Sequence, residues 1–176
     1  MIRHVQGDLI SLFLSNHFDF IVHGCNCQGR MDAGLARSIA NVFPVVVHND
    51  KMLAQLGILP GSAFSVPVDG GVVVNLYTQR FPGANAQLNW VEDSITSFRS
   101  IITSTWKKPS PPVIGIPRVG CGIGGLVWEE VMPLFYEGLG DHADLVFVEY
   151  SDGRKKPEIL TQTSMFGVDL DGGNDD

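Results

Sequence analysis

Hydrophobic and polar positions along the chain fall into a rhythm of strand-like and helix-like segments. Residues 2–6 (Ile-Arg-His-Val-Gln) make a short strand candidate, ended by Gly7-Asp8. Residues 18–25 (Phe-Asp-Phe-Ile-Val-His-Gly-Cys) are largely apolar, which predicts a central strand. Between 34 and 43 the period changes: Leu35, Ile39, Val42 and Phe43 share one helical face, and Pro44 stops the run. Residues 49–56 predict a second helix, closed by Gly57. Residues 63–68 and 72–77 are β-type runs separated by Asp69-Gly70-Gly71, a hairpin signal. The longest helix is predicted over 89–106, with Trp90, Ile95, Phe98, Ile101 and Ile102 on one side. A proline-rich loop at 107–112 leads to an apolar strand at 113–117, a glycine-rich loop, a helix opening at Leu126, and a last strand at 145–150.

Strands alternating with helices predict a layered α/β fold with helices on both faces of the sheet. At 176 residues the chain is long enough to bury a core as one domain. From Ser151 onward it turns polar and ends Asp169-Leu170-Asp171-Gly172-Gly173-Asn174-Asp175-Asp176, so residues 151–176 are expected to form an acidic tail that stays mobile or folds only against a partner.

The glycine cluster Gly120-Cys121-Gly122-Ile123-Gly124-Gly125 sits between a predicted strand and a predicted helix. That arrangement suits a phosphate, because glycine lets the backbone approach an anion and successive N–H groups can face one concavity. The segment from Cys25 to Gly34 likewise leaves a strand and enters a helix, offering a second helix N-terminus to an anion. Two such loops facing each other could clamp a diphosphate; equally, Gly29 and Gly34 could serve turns alone. In α/β sheets ligands bind beyond the carboxyl ends of the strands. Gly7-Asp8, 25–34 and 120–125 all fall at predicted strand ends, so the three are expected to surround one cleft.

Charge narrows the partners. The formal net charge of −7 argues against a long polyanion such as duplex DNA, but not against a small anion held by backbone N–H groups. No signal peptide is legible at the start, and no apolar run approaches the roughly 18 residues needed to span a bilayer. Cys25, Cys27 and Cys121 are an odd set for a disulfide framework and fit a reducing cytosol.

Several side chains could carry chemistry. The Asp8 carboxylate could accept a hydrogen bond from an amino group such as that of adenine, or act as a helix N-cap or turn residue. Asn26 could bond a ribose hydroxyl or form a turn. His23, Cys25 and Cys27 alternate and would share a strand face, but a fourth ligand is missing and no metal is expected. His23 beside an anion site could act as general acid or base, or be satisfied by backbone groups. Gly120, Gly122 and Gly125 satisfy the dinucleotide G-x-G-x-x-G pattern, yet the motif falls too late in the chain to complete such a sheet. A Walker loop is excluded because no Gly-Lys-Ser/Thr follows the glycines.

Taken in order, Gly7-Asp8-Leu9-Ile10, Cys25-Asn26-Cys27-Gln28-Gly29 through Gly34-Leu35-Ala36, Asn75-Leu76-Tyr77-Thr78-Gln79, and Pro117-Arg118-Val119-Gly120-Cys121-Gly122-Ile123-Gly124-Gly125-Leu126 with Trp128-Glu129 resemble a macrodomain, the ADP-ribose-binding α/β module. The resemblance covers roughly residues 1–150. It implies a three-layer α/β/α fold with a mixed sheet, no cofactor, a monomeric cytoplasmic protein, and ADP-ribose or ADP-ribose 1''-phosphate as ligand. By that resemblance Asp8 binds the adenine amino group, Leu9 also contacts the ligand, Asn26 lies at the distal ribose, Met31, Asp32, Ala33, Gly34 and Leu35 around the diphosphate and distal ribose, and Gly120, Cys121, Gly122, Ile123, Gly124, Gly125 and Leu126 around the diphosphate.

The His-Gly-Cys-Asn-Cys-Gln-Gly run from His23, with Tyr77-Thr78-Gln79, is similar to phosphatases acting on ADP-ribose 1''-phosphate, with His23 and Asn26 as the implied catalytic residues. Hydrolases that remove ADP-ribose from acidic side chains carry an aspartate where Ala36 stands. Related glycohydrolases, including those acting on ADP-ribosylated DNA, use a lysine near Gln79, and one branch has an aspartate at the position of Gly124. These departures leave phosphate-ester hydrolysis or plain ADP-ribose reading, with a glycohydrolase of another mechanism as a third class.

Overall fold

The computed structural model describes residues 1–151, so all but the first residue of the acidic segment expected from Ser151 onward lies outside the described residues. The chain order is β1 (Ile2–Gly7), α1 (Leu9–Leu14), β2 (Phe20–Asn26), α2 (Gly34–Val42), α3 (Pro44–Gln55), β3 (Ala63–Val68), β4 (Gly71–Gln79), α4 (Leu88–Thr105), β5 (Val113–Ile116), α5 (Trp128–Leu139) and β6 (Asp144–Tyr150). One six-stranded sheet runs β1-β6-β5-β2-β4-β3. Every pairing is parallel except β3 with β4, which the Asp69-Gly70-Gly71 turn joins as an antiparallel hairpin.

Each face of the sheet is covered by its own apolar layer. On one side Phe98 and Ile95 of α4 and Phe135 and Leu139 of α5 pack on Val22, Leu76, Ile114 and Leu145. On the other, Phe13 of α1, Ile39 of α2 and Val46 of α3 pack on Ile21, Val73 and Val146. This is the three-layer α/β/α arrangement with a mixed sheet. Gly115 in β5 makes one of these contacts possible: a Cβ there would come within 2.6 Å of the Phe18 ring.

Two helices differ from expectation. The apolar run Leu9–Leu14 forms α1, a single-face helix too short for its periodicity to stand out. Helix α3 begins at Pro44, not near 49. Proline ends α2 because its ring clashes with the preceding turn, and its preset φ then suits the first position of the next helix. The central strands β2 and β4 run on to Asn26 and Gln79, carrying Asn26, Thr78 and Gln79 to the end of the sheet where the loops gather.

Candidate functional site

The loops after β1, β2 and β5 enclose a cleft of about 980 Å³ at the carboxyl ends of the strands. Its lining includes the end of β2 and the residues just after the neighbouring strand β5; the segments that follow these two strands lead to opposite faces of the sheet, where α/β folds place ligands. Of the residues expected to bind ligand, Asp8, Leu9, Asn26, residues 31–35, residues 120–124 and Leu126 all line it. Gly125 does not. It adopts φ +84° and holds the loop turn against Ala84, so its part is conformational.

The glycine loop closes on itself: Leu126 N–H donates to Gly120 O (2.9 Å) and Gly125 N–H to Gly122 O (3.3 Å). Gly120 sits at φ +73°, open to glycine at low cost. Gly124 is walled in, since a Cβ would lie 2.6 Å from Gly120 O and 2.9 Å from Ala86 Cβ. Gly122 faces open space. Helix α5 begins beyond the loop, at Trp128, with Glu129 and Glu130 in its first turn. Those carboxylates oppose an anion, so what this side offers a phosphate is the N–H groups of the loop, not the helix end.

Opposite stands the N-terminus of α2. Its N-cap, Ala33, supplies no side-chain acceptor, and no acidic residue follows in the first turn. Its first N–H groups therefore keep their affinity for an anion. The Asp32 carboxylate beside them is paired with Arg30 (2.6 Å), a hydrogen bond that holds its pKa below the ordinary value. The two loops meet: Ile123, more than half exposed at the rim, brings Cδ1 to 3.7 Å from where a side chain at Gly34 would project.

Asp8 is the N-cap of α1, its Oδ1 accepting from Ser11 N–H at 2.7 Å. The other carboxylate oxygen makes no hydrogen bond among the described residues. Asn26 organises its own loop. Its Oδ1 accepts from Gln28 N–H (3.0 Å) and Arg30 N–H (3.4 Å), and its Nδ2 donates to Arg30 O (2.8 Å). Its second amide hydrogen makes no hydrogen bond among the described residues.

His23 lines the same cleft, but its expected titration requires a correction. The expectation was a titratable group with a near-neutral pKa beside the anion loops. The ring is 1% exposed, and Nε2 lies 2.8 Å from Asn75 Oδ1. Asn75 Nδ2 donates to Tyr77 Oη (3.4 Å), so Oδ1 faces His23 and Nε2 carries the proton. Burial lowers the His23 pKa to about 4, against a smaller raising effect of the Asn75 hydrogen bond. At pH 7 the imidazole is therefore neutral. Cys25 packs on it, with Sγ 3.6 Å from Nδ1, and burial pushes the Cys25 thiol well above its ordinary value and that of Cys27 up to about 11. Neither is a ready nucleophile. Among the described residues no three His, Cys, Asp or Glu side chains come together as a metal site.

The structure adds residues to those expected to bind ligand. Tyr150, 75% exposed, and the Arg118–Glu149 ion pair (2.6 Å) line the Asp8 end. At the other wall Gln79 Nε2 donates to Phe81 O (2.7 Å) and Gly83 O (3.0 Å), fixing the loop after β4. The run Tyr77-Thr78-Gln79 was the available signal for Gln79. Nothing local marked Arg118 and Glu149 as partners, because they stand 31 residues apart.

No protein-family profile matches the chain. Among curated proteins it is 28% identical, over 135 residues, to an uncharacterized 17.5 kDa protein from the tk-vs intergenic region of Enterobacteria phage T4, covering 73% of this chain and 84% of that one. Among solved structures it is similar to the macrodomain of Mycobacterium tuberculosis DarG (TM-score 0.74, 23% identity, 86% of this chain and 99% of that one). It is also similar to the macrodomain of Thermus aquaticus DarG (TM-score 0.73, 22% identity, 85% and 98%). Thermosipho africanus DarTG, solved in complex with ADP-ribose, matches with TM-score 0.68 and 20% identity over 84% of this chain and 41% of that one. These likenesses give the chain the macrodomain fold.

Proposed function

We propose that this chain binds ADP-ribose, with the diphosphate held between the N-terminus of α2 and the glycine loop 120–126. The observation that carries this reading is the facing pair of N–H-rich elements across one cleft. Asp8, which lines the same cleft, is assigned to the adenine amino group. A structure of the same fold was solved with ADP-ribose, which supports the choice of ligand. Tyr150 and the Arg118–Glu149 pair flank the adenine end. Calorimetry with ADP-ribose, ADP and ribose 5-phosphate tests the reading: ADP-ribose should bind tightest, and no heat with ADP-ribose refutes it.

The finer reading is hydrolysis of the terminal phosphate of ADP-ribose 1''-phosphate. It is favoured over glycosidic cleavage by Gly124 and Gln79: the first has no room for a carboxylate side chain, and the second is an amide already committed to its loop. In this reaction water attacks phosphorus as the P–O bond to the distal ribose breaks. Neutral His23 acts as the base that takes the water's proton, and Asn26 positions the ribose. The test is phosphate release from ADP-ribose 1''-phosphate, measured beside binding. Release that is lost about 100-fold in His23→Ala, with ADP-ribose affinity retained, supports the role. Full release in that variant removes His23 from the mechanism. Binding without release makes the protein a reader of ADP-ribose.

A further inference from the structure

Thr78, next to the end of β4, is wholly buried, and its hydroxyl oxygen is the buried side-chain polar atom left without a hydrogen-bond partner among the described residues. An unpaired buried hydroxyl is unfavourable, so for the fold alone valine, of the same shape, would serve better at this position. The surroundings of the hydroxyl show what threonine serves. It lies beside Gly24 of β2: a side chain at Gly24 would start 3.1 Å from Thr78 Oγ1, 3.4 Å from the Gly120 nitrogen and 3.5 Å from Val119 Cγ1. Gly24 is only partly buried, and Gly24, Thr78 and Gly120 all line the cleft. Without a Cβ at Gly24, the Thr78 hydroxyl lies just beneath the cleft lining on one side of this position, with the first amide of the glycine loop on the other.

We propose that Thr78 is a ligand-contacting residue whose hydroxyl donates to an oxygen of the ligand's diphosphate seated over Gly24. This deepens the ADP-ribose reading and rests on it. A hydroxyl that can rotate and a backbone amide are both donors, and together they select a group that only accepts. A phosphate oxygen is such a group, and a hydrogen bond to it is charge-assisted. Gly24 is the complementary requirement, because a methyl there would take the place of the ligand oxygen.

The test compares Thr78→Val, Thr78→Ser and Gly24→Ala with the wild type, reading the Tm of the free protein and the Kd for ADP-ribose by calorimetry. Thr78→Val should melt at or above the wild-type Tm while binding about 10- to 100-fold more weakly. Thr78→Ser should bind close to wild type, and Gly24→Ala should bind as weakly as Thr78→Val. Three results overturn the contact: Thr78→Val binding as tightly as wild type, Thr78→Val melting below it, or Thr78→Ser binding as poorly as valine. Gly24→Ala with unchanged affinity does the same. A wild type that fails to bind ADP-ribose overturns the functional reading and this contact together, whereas a binding wild type with an unaffected valine variant overturns the contact alone.

Discussion

The Tyr77 hydroxyl donates a 2.8 Å hydrogen bond to Asp50 Oδ1, joining β4 to α3 where neither side chain meets solvent. Through Asn75 the same chain of bonds reaches His23 beneath the cleft. Burial raises the Asp50 pKa and the Tyr77 bond opposes that rise. Tyr77→Phe is therefore expected to cost about 1–3 kcal/mol at pH 7, by leaving a buried carboxylate without its donor. Urea unfolding measures it. The loss should shrink towards low pH, where Asp50 takes up a proton. A double variant with Asp50→Leu should cost less than the sum of the two single changes.

His23 makes stability depend on pH in the acid range. Its folded pKa of about 4 lies below the ordinary histidine value of 6.5, so the unfolded chain binds the proton more readily. Stability from this group is fully present above 6.5 and is lost as pH falls from there towards 4, by up to about 3 kcal/mol. Asp50, with a raised pKa, acts in the opposite sense and offsets part of the loss. Unfolding at pH 7, 5.5 and 4 should show a steeper decline for wild type than for His23→Gln. Equal declines would remove His23 as the cause.

Two neighbouring glycines should respond differently to substitution. Gly122→Glu meets no atom within 4 Å of its Cβ and should leave Tm unchanged, while its charge abolishes ADP-ribose binding. Gly124→Ala drives a methyl against Gly120 O and Ala86 and should lower stability by about 1–3 kcal/mol. Thermal melting and calorimetry on both variants separate ligand exclusion from a damaged loop.

Asp8 carries two tasks that one pair of variants can divide. Asp8→Ala removes the cap on Ser11 N–H and should cost about 1 kcal/mol of stability. It should also weaken adenosine-containing ligands by about 1–3 kcal/mol, with ribose 5-phosphate hardly affected. Asp8→Asn keeps a capping oxygen, so its Tm should stay near wild type while adenine recognition falls. Equal losses for both ligands would refute the adenine assignment.

How far the sequence could be read follows from the range of the interactions. The β3–β4 hairpin was legible because Asp69-Gly70-Gly71 states its turn chemistry locally, and α4 because eighteen residues are enough to show a period. The three cleft loops were legible because strand ends and glycines mark them. Helix α1 was missed because six residues, Leu-Ile-Ser-Leu-Phe-Leu, do not distinguish a helical stripe from an apolar strand. The polar network that holds His23 was not legible because its partner Asn75 is 52 residues away and Asp50 lies on a helix whose start was misplaced. The orphan hydroxyl of Thr78 depends on what is absent around it, which no spacing in a sequence records.

The pairing of β1 with β6 sets the order in which the chain can assemble. In the sheet β1 touches no strand but β6, from Ile2 against Leu145 to Gly7 against Tyr150. During synthesis the first strand therefore emerges with its edge unsatisfied and stays so until nearly the whole domain has been made. Closing a contact across more than a hundred residues is a slow, late event, and an open strand edge invites pairing with another chain. Ribosome-stalled chains ending before β6 should be protease-sensitive at β1 and prone to aggregate, and release of the last strand should end both behaviours at once.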